Sequence, residues 1–319
     1  MAVHTRLKKK DFDRILSFYQ IGDLVDFLGI DEGIENTNYL IKTSRDKYIL
    51  TIFENRVKKK NLPFYLDLMF NSQKKKINCP EPISDKKGNL INNFKFKKFS
   101  IFSFLKGKSK KKWLTIDCFN VGKTLALFHE VNMMNKNKVT NDFSLDFWEK
   151  TFGKLKKKEI ELIIPGAYPI LQKEIKFIKT NWPKLLPSGI IHADLFRDNV
   201  FFKNNKLSGI LDFYFSCHDF LMYDLAVTMN AWCFEKGIFN RKFFYNLLKG
   251  YESVRALKKN EKKYLNILLR GSSLRFLLTR LYDSIHGSEN EFTKKKNPLD
   301  FFKILTFHIN SQKSFSYFK

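Results

Sequence analysis

Cysteine is scarce in this chain: four in 319 residues, at Cys79, Cys118, Cys217 and Cys233. None makes a C-x-x-C pair, so they read as reduced thiols of a cytosolic protein rather than as a disulfide framework. Long apolar runs are also missing. None reaches the roughly 18–20 residues that a transmembrane helix needs, and no membrane partner is expected. The charges of residues 1–10 are followed by no apolar signal core, so no secretory leader is expected and a cytoplasmic location is. There is no internal repeat. The remaining shortage is acid: 32 Asp and Glu stand against 58 Lys and Arg, a formal net charge of +26.

Such a charge alone would suggest a polyanionic partner. Its distribution argues otherwise. The lysines fall in short triplets at 8–10, 58–60, 74–76, 110–112, 156–158 and 294–296, mostly at helix starts or in loops. The chain is also rich in Phe, Asn and Ile. This is a compositional bias spread over solvated faces, and no nucleic-acid partner is expected. The field would still draw a nucleotide-like anion.

With 44% hydrophobic residues, the chain can build one large or two moderate domains. Periodicity predicts a helix at 12–19, strands at 26–30, 38–43 and 48–53, a helix from Pro63 to about Lys76, and a strand over 94–105. That order makes a small α+β lobe, residues 1–103. Residues 104–319 follow as a mainly helical lobe, with helices at 117–131, 170–180, 220–234, 241–254, 261–284 and 298–311.

Inside the helical half stands His192-Ala193-Asp194-Leu195-Phe196-Arg197-Asp198-Asn199, followed by Leu211-Asp212-Phe213. The pattern H-x-D-x-x-x-x-N, then D-F, is that of phosphoryl-transfer sites of the kinase type. Between the two parts, apolar residues 200–202 and 207–211 flank Lys203-Asn204-Asn205-Lys206, a turn-like stretch that predicts a hairpin. With Asn204 opposite Leu207, Asn199 falls opposite Asp212, about 4.5–5.5 Å away between Cα atoms. An amide oxygen beside a carboxylate makes a hard-oxygen site for Mg²⁺, whose other positions go to water and phosphate. Asp194 is the expected catalytic residue. A carboxylate of pKa about 3.9 is a weak base, so it orients the attacking hydroxyl and takes the proton late. His192 is expected to brace this loop, and Asp224 to anchor it.

Residues 33–39, with one glycine, amides and a hydroxyl, join two strands. Such a turn can offer backbone N–H groups to phosphate. Gly33, Asn36, Thr37 and Asn38 are its nucleotide-binding candidates. The base would lie along Phe102-Ser103-Phe104-Leu105, with Ser103 and Leu105 bonding through backbone. For the acceptor the candidates are Tyr214, Asp219 and Trp232, which flank the hairpin and the next helix, and Arg275, a residue suited to carboxylate recognition. Phe119, Gly122, Leu125, Ala126 and His129 fall on one face of the 117–131 helix, and His129 reads as a core or interlobe residue, not a ligand.

Several longer stretches carry a resemblance. They include Gly33-Ile34-Glu35-Asn36-Thr37-Asn38-Tyr39, the 192–199 and 212–214 motifs, Asn230-Ala231-Trp232-Cys233-Phe234-Glu235 and the run from Leu274 to Asp283. Together they resemble the bacterial homoserine kinases of the aminoglycoside-phosphotransferase-like superfamily, over nearly the whole chain. The resemblance implies a two-lobed protein-kinase-like fold, ATP and Mg²⁺ as cofactors, and phosphorylation of the L-homoserine hydroxyl in threonine biosynthesis. By the same carry-over Asp194 is the base, and Asn199 and Asp212 hold magnesium. One departure stands out. The superfamily's third strand usually carries a Lys or Arg for the α- and β-phosphates; here Thr51 takes that place, and Asp67 on the next helix lacks the usual partner. Two alternatives compete: a kinase of another small alcohol (choline, an aminoglycoside or methylthioribose), and a binding protein for nucleic acid, which would show salt-sensitive affinity.

Overall fold

The structure is a computed structural model and describes residues 4–30, 36–54, 58–133, 135, 139–287, 296–311 and 317. Gly33 lies outside the described residues, as does Arg56. The chain divides into two compact units. One runs to Gly107 and takes in Ser208–Tyr214; the other holds Lys108–Leu207 and, among the described residues, those from Phe215 onward.

The first unit opens with helix α1 (Lys9–Leu16), whose first turn is closed by Asp11 Oδ2 accepting the Lys8 N–H at 2.8 Å. That backbone hydrogen bond holds the Asp11 carboxyl below its usual value. Strands β1 (Leu24–Ile30), β2 (Thr37–Thr43) and β3 (Lys47–Ile52) follow, then helix α2 (Leu62–Lys74), with proline in its first turn. Strands β4 (Pro82–Ile83), β5 (Asn92–Phe94) and β6 (Lys97–Ser103) complete an antiparallel sheet of order β1-β2-β3-β6-β4, with β5 on β6. Strand alternation gives the sheet two faces. Tyr39, Ile41, Leu50, Ile52, Phe99 and Ile101 turn to one side and pack with Phe12 and Ile15 of α1. Asn38, Thr51 and Ser100, opposed in register, share the other face.

The second unit is mainly helical. It holds α3 (Thr115–Val131), α4 (Leu145–Lys154), α5 (Lys157–Ile163) and α6 (Ala167–Asn181) before strand β7 (Ser188–Ile191). Strands β8 (Val200–Lys203) and β9 (Lys206–Ile210) pair as a hairpin. Strand β10 (Cys217–Phe220) lies antiparallel to β7, Cys217 opposite Ile191. Then come α7 (Leu221–Trp232), the small ladder β11 (Phe234–Glu235) with β12 (Ile238–Phe239), α8 (Arg241–Glu252), α9 (Lys259–His286) and α10 (Pro298–Asn310). Every residue of α7 is buried, which explains its near-continuous apolar sequence. Among the described residues no helix is long and apolar enough to cross a membrane.

The expected helices and strands are present with ends shifted by a few residues, except that the strand expected over 94–105 is divided into β5 and β6 by Lys95 and Phe96, both of positive φ. Helices α4 and α5, strand β4, the β7–β10 ladder and the β11–β12 ladder are additions. Helix α5 has seven residues and buries only Ile160, and four-residue strands are too short to display an alternation. The hairpin register also differs from expectation. Asn204 and Asn205 form a two-residue turn, both left-handed with φ of 49° and 60°. The turn therefore closes between Lys203 and Lys206 rather than setting Asn204 opposite Leu207. Asp212 follows the end of β9, so hairpin register alone does not set it against Asn199.

Candidate active site

Strand β7 delivers the chain into the His192–Asn199 loop, where Ala193 takes a left-handed φ of 64°. A side chain there costs on the order of 1–3 kcal/mol, so the surroundings must impose it. They do so with four hydrogen bonds. Asp224, at the start of α7, accepts the His192 N–H on Oδ2 at 2.6 Å and the Ala193 N–H on Oδ1 at 2.8 Å. Arg275 Nη1 of α9 donates to the Ala193 carbonyl at 2.9 Å. Trp232 Nε1, at the end of α7, donates to the Leu195 carbonyl at 2.9 Å.

Asp224 is itself fixed. His129 Nε2 lies 3.0 Å from its Oδ2 and so carries the hydrogen, while Tyr251 Oη lies 2.7 Å from His129 Nδ1. Burial alone would push the Asp224 carboxyl up. Hydrogen bonds and charge from His129 and His192 outweigh that and hold it below the usual carboxylate range. Asp224 thus stays an anion able to hold two backbone N–H groups. His192 is buried, and its Nδ1 accepts the Asp194 N–H at 3.3 Å.

Asp194 and Asn199 meet directly. Asn199 Nδ2 donates to the Asp194 carbonyl at 2.8 Å and to its Oδ2 at 3.0 Å. Both neighbours are acceptors, so the amide nitrogen must face them and Oδ1 must face away. That leaves a hard oxygen of the kind Mg²⁺ takes. Among the described residues no three His, Cys, Asp or Glu gather as a metal centre.

Asp212 belongs to the first unit, with a left-handed φ of 60°. Phe213 beside it is wholly buried. Tyr214 stands edge-on to Phe53 and Tyr65, with ring centroids 5.7 and 5.8 Å apart. Burial and the Asp212 charge push its hydroxyl well up. From α2 it is Tyr65 that meets Tyr214; Asp67 is exposed and lines a surface pocket with Asn89 and Ile91.

The other nucleotide-binding candidates sort differently. Asn36 Oδ1 accepts the Glu54 N–H at 3.3 Å, and Thr37 Oγ1 donates to Glu54 Oε1 at 2.7 Å. Asn38 Oδ1 accepts from Thr51 Oγ1 at 2.8 Å. Ser103 Oγ accepts the Glu81 N–H at 2.9 Å, and Leu105 is buried just past the end of β6.

Of the acceptor candidates, Trp232 and Arg275 are 1% and 2% exposed. They face the loop backbone, not a surface where a substrate could lie. Asp219 borders a cavity of about 310 Å³ with Asn141, Trp148 and Tyr223. Both its oxygens are engaged: Oδ2 accepts Asn141 Nδ2 at 2.6 Å, and Oδ1 the Phe220 N–H at 2.7 Å. Burial pushes its carboxyl up, and Asn141 partly offsets that. Sequence reasoning did not find the His129–Asp224 pair as part of the site, since 95 residues separate its members.

The fold and this loop define a class, the kinase-like phosphotransferases. Two solved members are similar throughout: an amicoumacin kinase (TM-score 0.70, 14% identity, 97% of this chain and 95% of that one) and a spectinomycin phosphotransferase (TM-score 0.71, 13% identity, 98% of each). The family model described as phosphotransferase enzyme family matches residues 26–257. The homoserine kinase of Agrobacterium fabrum is 41% identical over 309 residues, 97% of this chain and 96% of that protein. That of Rhizobium rhizogenes is 42% identical over 318 residues, 99% of each. The chain belongs to the phosphotransferase enzyme family and groups within it with the homoserine kinases.

Proposed function

We propose that this protein transfers the terminal phosphoryl group of ATP to the side-chain hydroxyl of L-homoserine. The observation that carries the chemistry is the Asp194–Asn199 contact, one carboxylate and one amide locked together on a loop that four hydrogen bonds hold. The acceptor rests on the relatives named homoserine kinase, at 40–42% identity over nearly their full length. ATP and a divalent cation are supported by the amicoumacin kinase, solved with AMP-PNP and Ca²⁺.

In this reading the Asp194 carboxylate accepts a hydrogen bond from the substrate hydroxyl, aims it, and takes its proton as the new P–O bond forms. Asn199 keeps that carboxylate in one orientation. Asn199 Oδ1 and the Asp212 carboxylate are the oxygens that would hold Mg²⁺, which when bound neutralises phosphate charge. Asp224, Arg275 and Trp232 position the loop. The first unit takes the nucleotide and the second the acceptor, with residues 1–103 and 104–319 as the corresponding lobes.

The test is ADP release with Mg·ATP over a panel of L-homoserine, L-serine, choline, an aminoglycoside and methylthioribose. Turnover with homoserine alone is expected. Asp194→Ala should lose on the order of 10²–10⁴-fold in kcat, the usual worth of a positioned acid–base group. Turnover with a different acceptor would replace homoserine, and silence across the panel would overturn the activity.

A further inference from the structure

The face of the first unit's sheet that turns away from α1 carries a polar chain with no charged member. Thr51 Oγ1 donates to Asn38 Oδ1 at 2.8 Å, across a directly opposed pair of β2 and β3. A hydroxyl has one proton. That proton is committed to Asn38, so the Thr51 hydroxyl holds the Asn38 carbonyl oxygen.

This bond settles which way the Asn38 amide points. Its oxygen is turned to Thr51, so its two N–H donors face outward from a partly exposed position at the start of β2. Polyphosphate is an array of acceptor oxygens, and a preset amide donor suits it. The nearby cations are differently placed. Lys97 is paired with Glu54. Lys42 shares the Asn38 face but sits four residues along the strand, roughly 13 Å at 3.3 Å per residue. Lys47, opposite Lys42, is as far along its own strand. Among the described residues of the sheet, Lys98, opposite Phe53 beyond the β3 ladder, is the nearer candidate on that face.

We propose that Asn38 Nδ2, aimed by Thr51, donates to a phosphate oxygen of the bound nucleotide, so that a neutral amide serves where position 51 carries no cation. Asn38 is then a binding residue, and Thr51 is a positioning residue. The inference rests on the nucleotide-binding reading of the first unit and does not depend on the acceptor.

The experiment is direct titration of the full chain with ATP, ADP and adenosine, Mg²⁺ present and acceptor absent, with thermal melts alongside. Asn38→Ala is expected to weaken ATP and ADP about tenfold, one hydrogen bond to a charged group, and to leave adenosine unchanged. Asn38→Asp should weaken them further by repulsion. Thr51→Val should act in the same direction, the Asn38→Ala/Thr51→Val double variant should add little to Asn38→Ala, and Thr51→Ser, which keeps the hydroxyl, should keep binding. Equal loss for adenosine, unchanged ATP affinity in Asn38→Ala, or a phosphate-selective loss confined to Lys98→Met would overturn the proposal. Because no acceptor is present, failure here leaves the homoserine assignment standing, and the converse also holds.

Discussion

Arg275 shows what a single residue can and cannot reveal in sequence. Its type suggested a carboxylate partner. Its place is interior, stacked 4.8 Å from the Phe143 ring and 4.7 Å from the Phe276 ring, with one N–H on the Ala193 carbonyl. A guanidinium is planar and fits between rings; an ammonium does not stack and is more strongly hydrated. Arg275→Lys is therefore expected to cost roughly 1.5–3 kcal/mol in stability, the worth of a charge-assisted hydrogen bond. Its kcat should fall while the acceptor KM holds, because the Ala193 carbonyl immediately precedes Asp194. Steady-state kinetics beside denaturant melts check this. A large rise in acceptor KM at constant kcat would return Arg275 to substrate contact. Trp232→Phe shrinks the buried indole to a phenyl and removes the donor to Leu195, so a cavity cost adds to about 1 kcal/mol for the hydrogen bond, with the same kinetic signature. Asp194, Asn199 and Asp212 stood out in sequence because the chemistry dictates their spacing. The burial of Trp232 and Arg275 did not, because it comes from partners 37 and 82 residues away.

At the scale of elements, the loop's support depends on how closely α3 approaches α8. Glycines face across the contact in reciprocal fashion. A Cβ on Gly122 would lie 2.0 Å from the Leu247 carbonyl oxygen, and one on Gly250 would lie 1.9 Å from the Phe119 carbonyl oxygen. Neither helix backbone can yield locally, so Gly250→Ala must push the helices apart. Overpacking of this kind costs about 1–3 kcal/mol or more. Helix α3 carries His129 and α8 carries Tyr251, which meet on the way to Asp224. A drop in kcat is thus expected with the drop in melting temperature, and a folded variant with wild-type kcat would show the helix gap to be irrelevant to the loop. Gly122 was visible in sequence on the same face as His129, but glycine in a helix names no neighbour. The hairpin behaves similarly. Asn204-Asn205 announced a turn, and the tolerance of asparagine for left-handed φ decided its closure between Lys203 and Lys206, two residues from the register that apolar runs suggested.

The molecule as a whole couples its core to acid through His308. This residue of α10 is buried, with Nε2 2.8 Å from Asn230 Oδ1 and Nδ1 2.7 Å from the Tyr317 hydroxyl. Asn230 Nδ2 is occupied by the Leu269 carbonyl and Ser273 Oγ, so its oxygen faces the imidazole and His308 donates through Nε2. The neutral ring completes this arrangement. Burial, then the Arg270 charge, pushes its pKa down to about 3. In the unfolded chain a histidine titrates near 6.5. Below that value the unfolded state binds a proton that the folded state refuses, so stability falls with acid and the loss runs down to about pH 3. One such group removes about 2 kcal/mol between pH 7 and pH 5. Asp224 contributes lower down: its depressed folded value gives stability above the unfolded carboxylate value of about 3.9, lost as pH falls through the folded one. Urea midpoints measured from pH 7 to pH 5 should therefore fall for the wild type. They should fall much less for His308→Gln, whose amide can serve Asn230 but cannot titrate. Both chains carry the same excess of Lys and Arg, so self-repulsion is common to the two curves and the difference isolates one imidazole. Parallel curves would mean that His308 takes up its proton inside the fold. Asn230 shares α7 with Asp224 and Trp232, so activity should track the same pH window wherever α7 loosens before the chain unfolds.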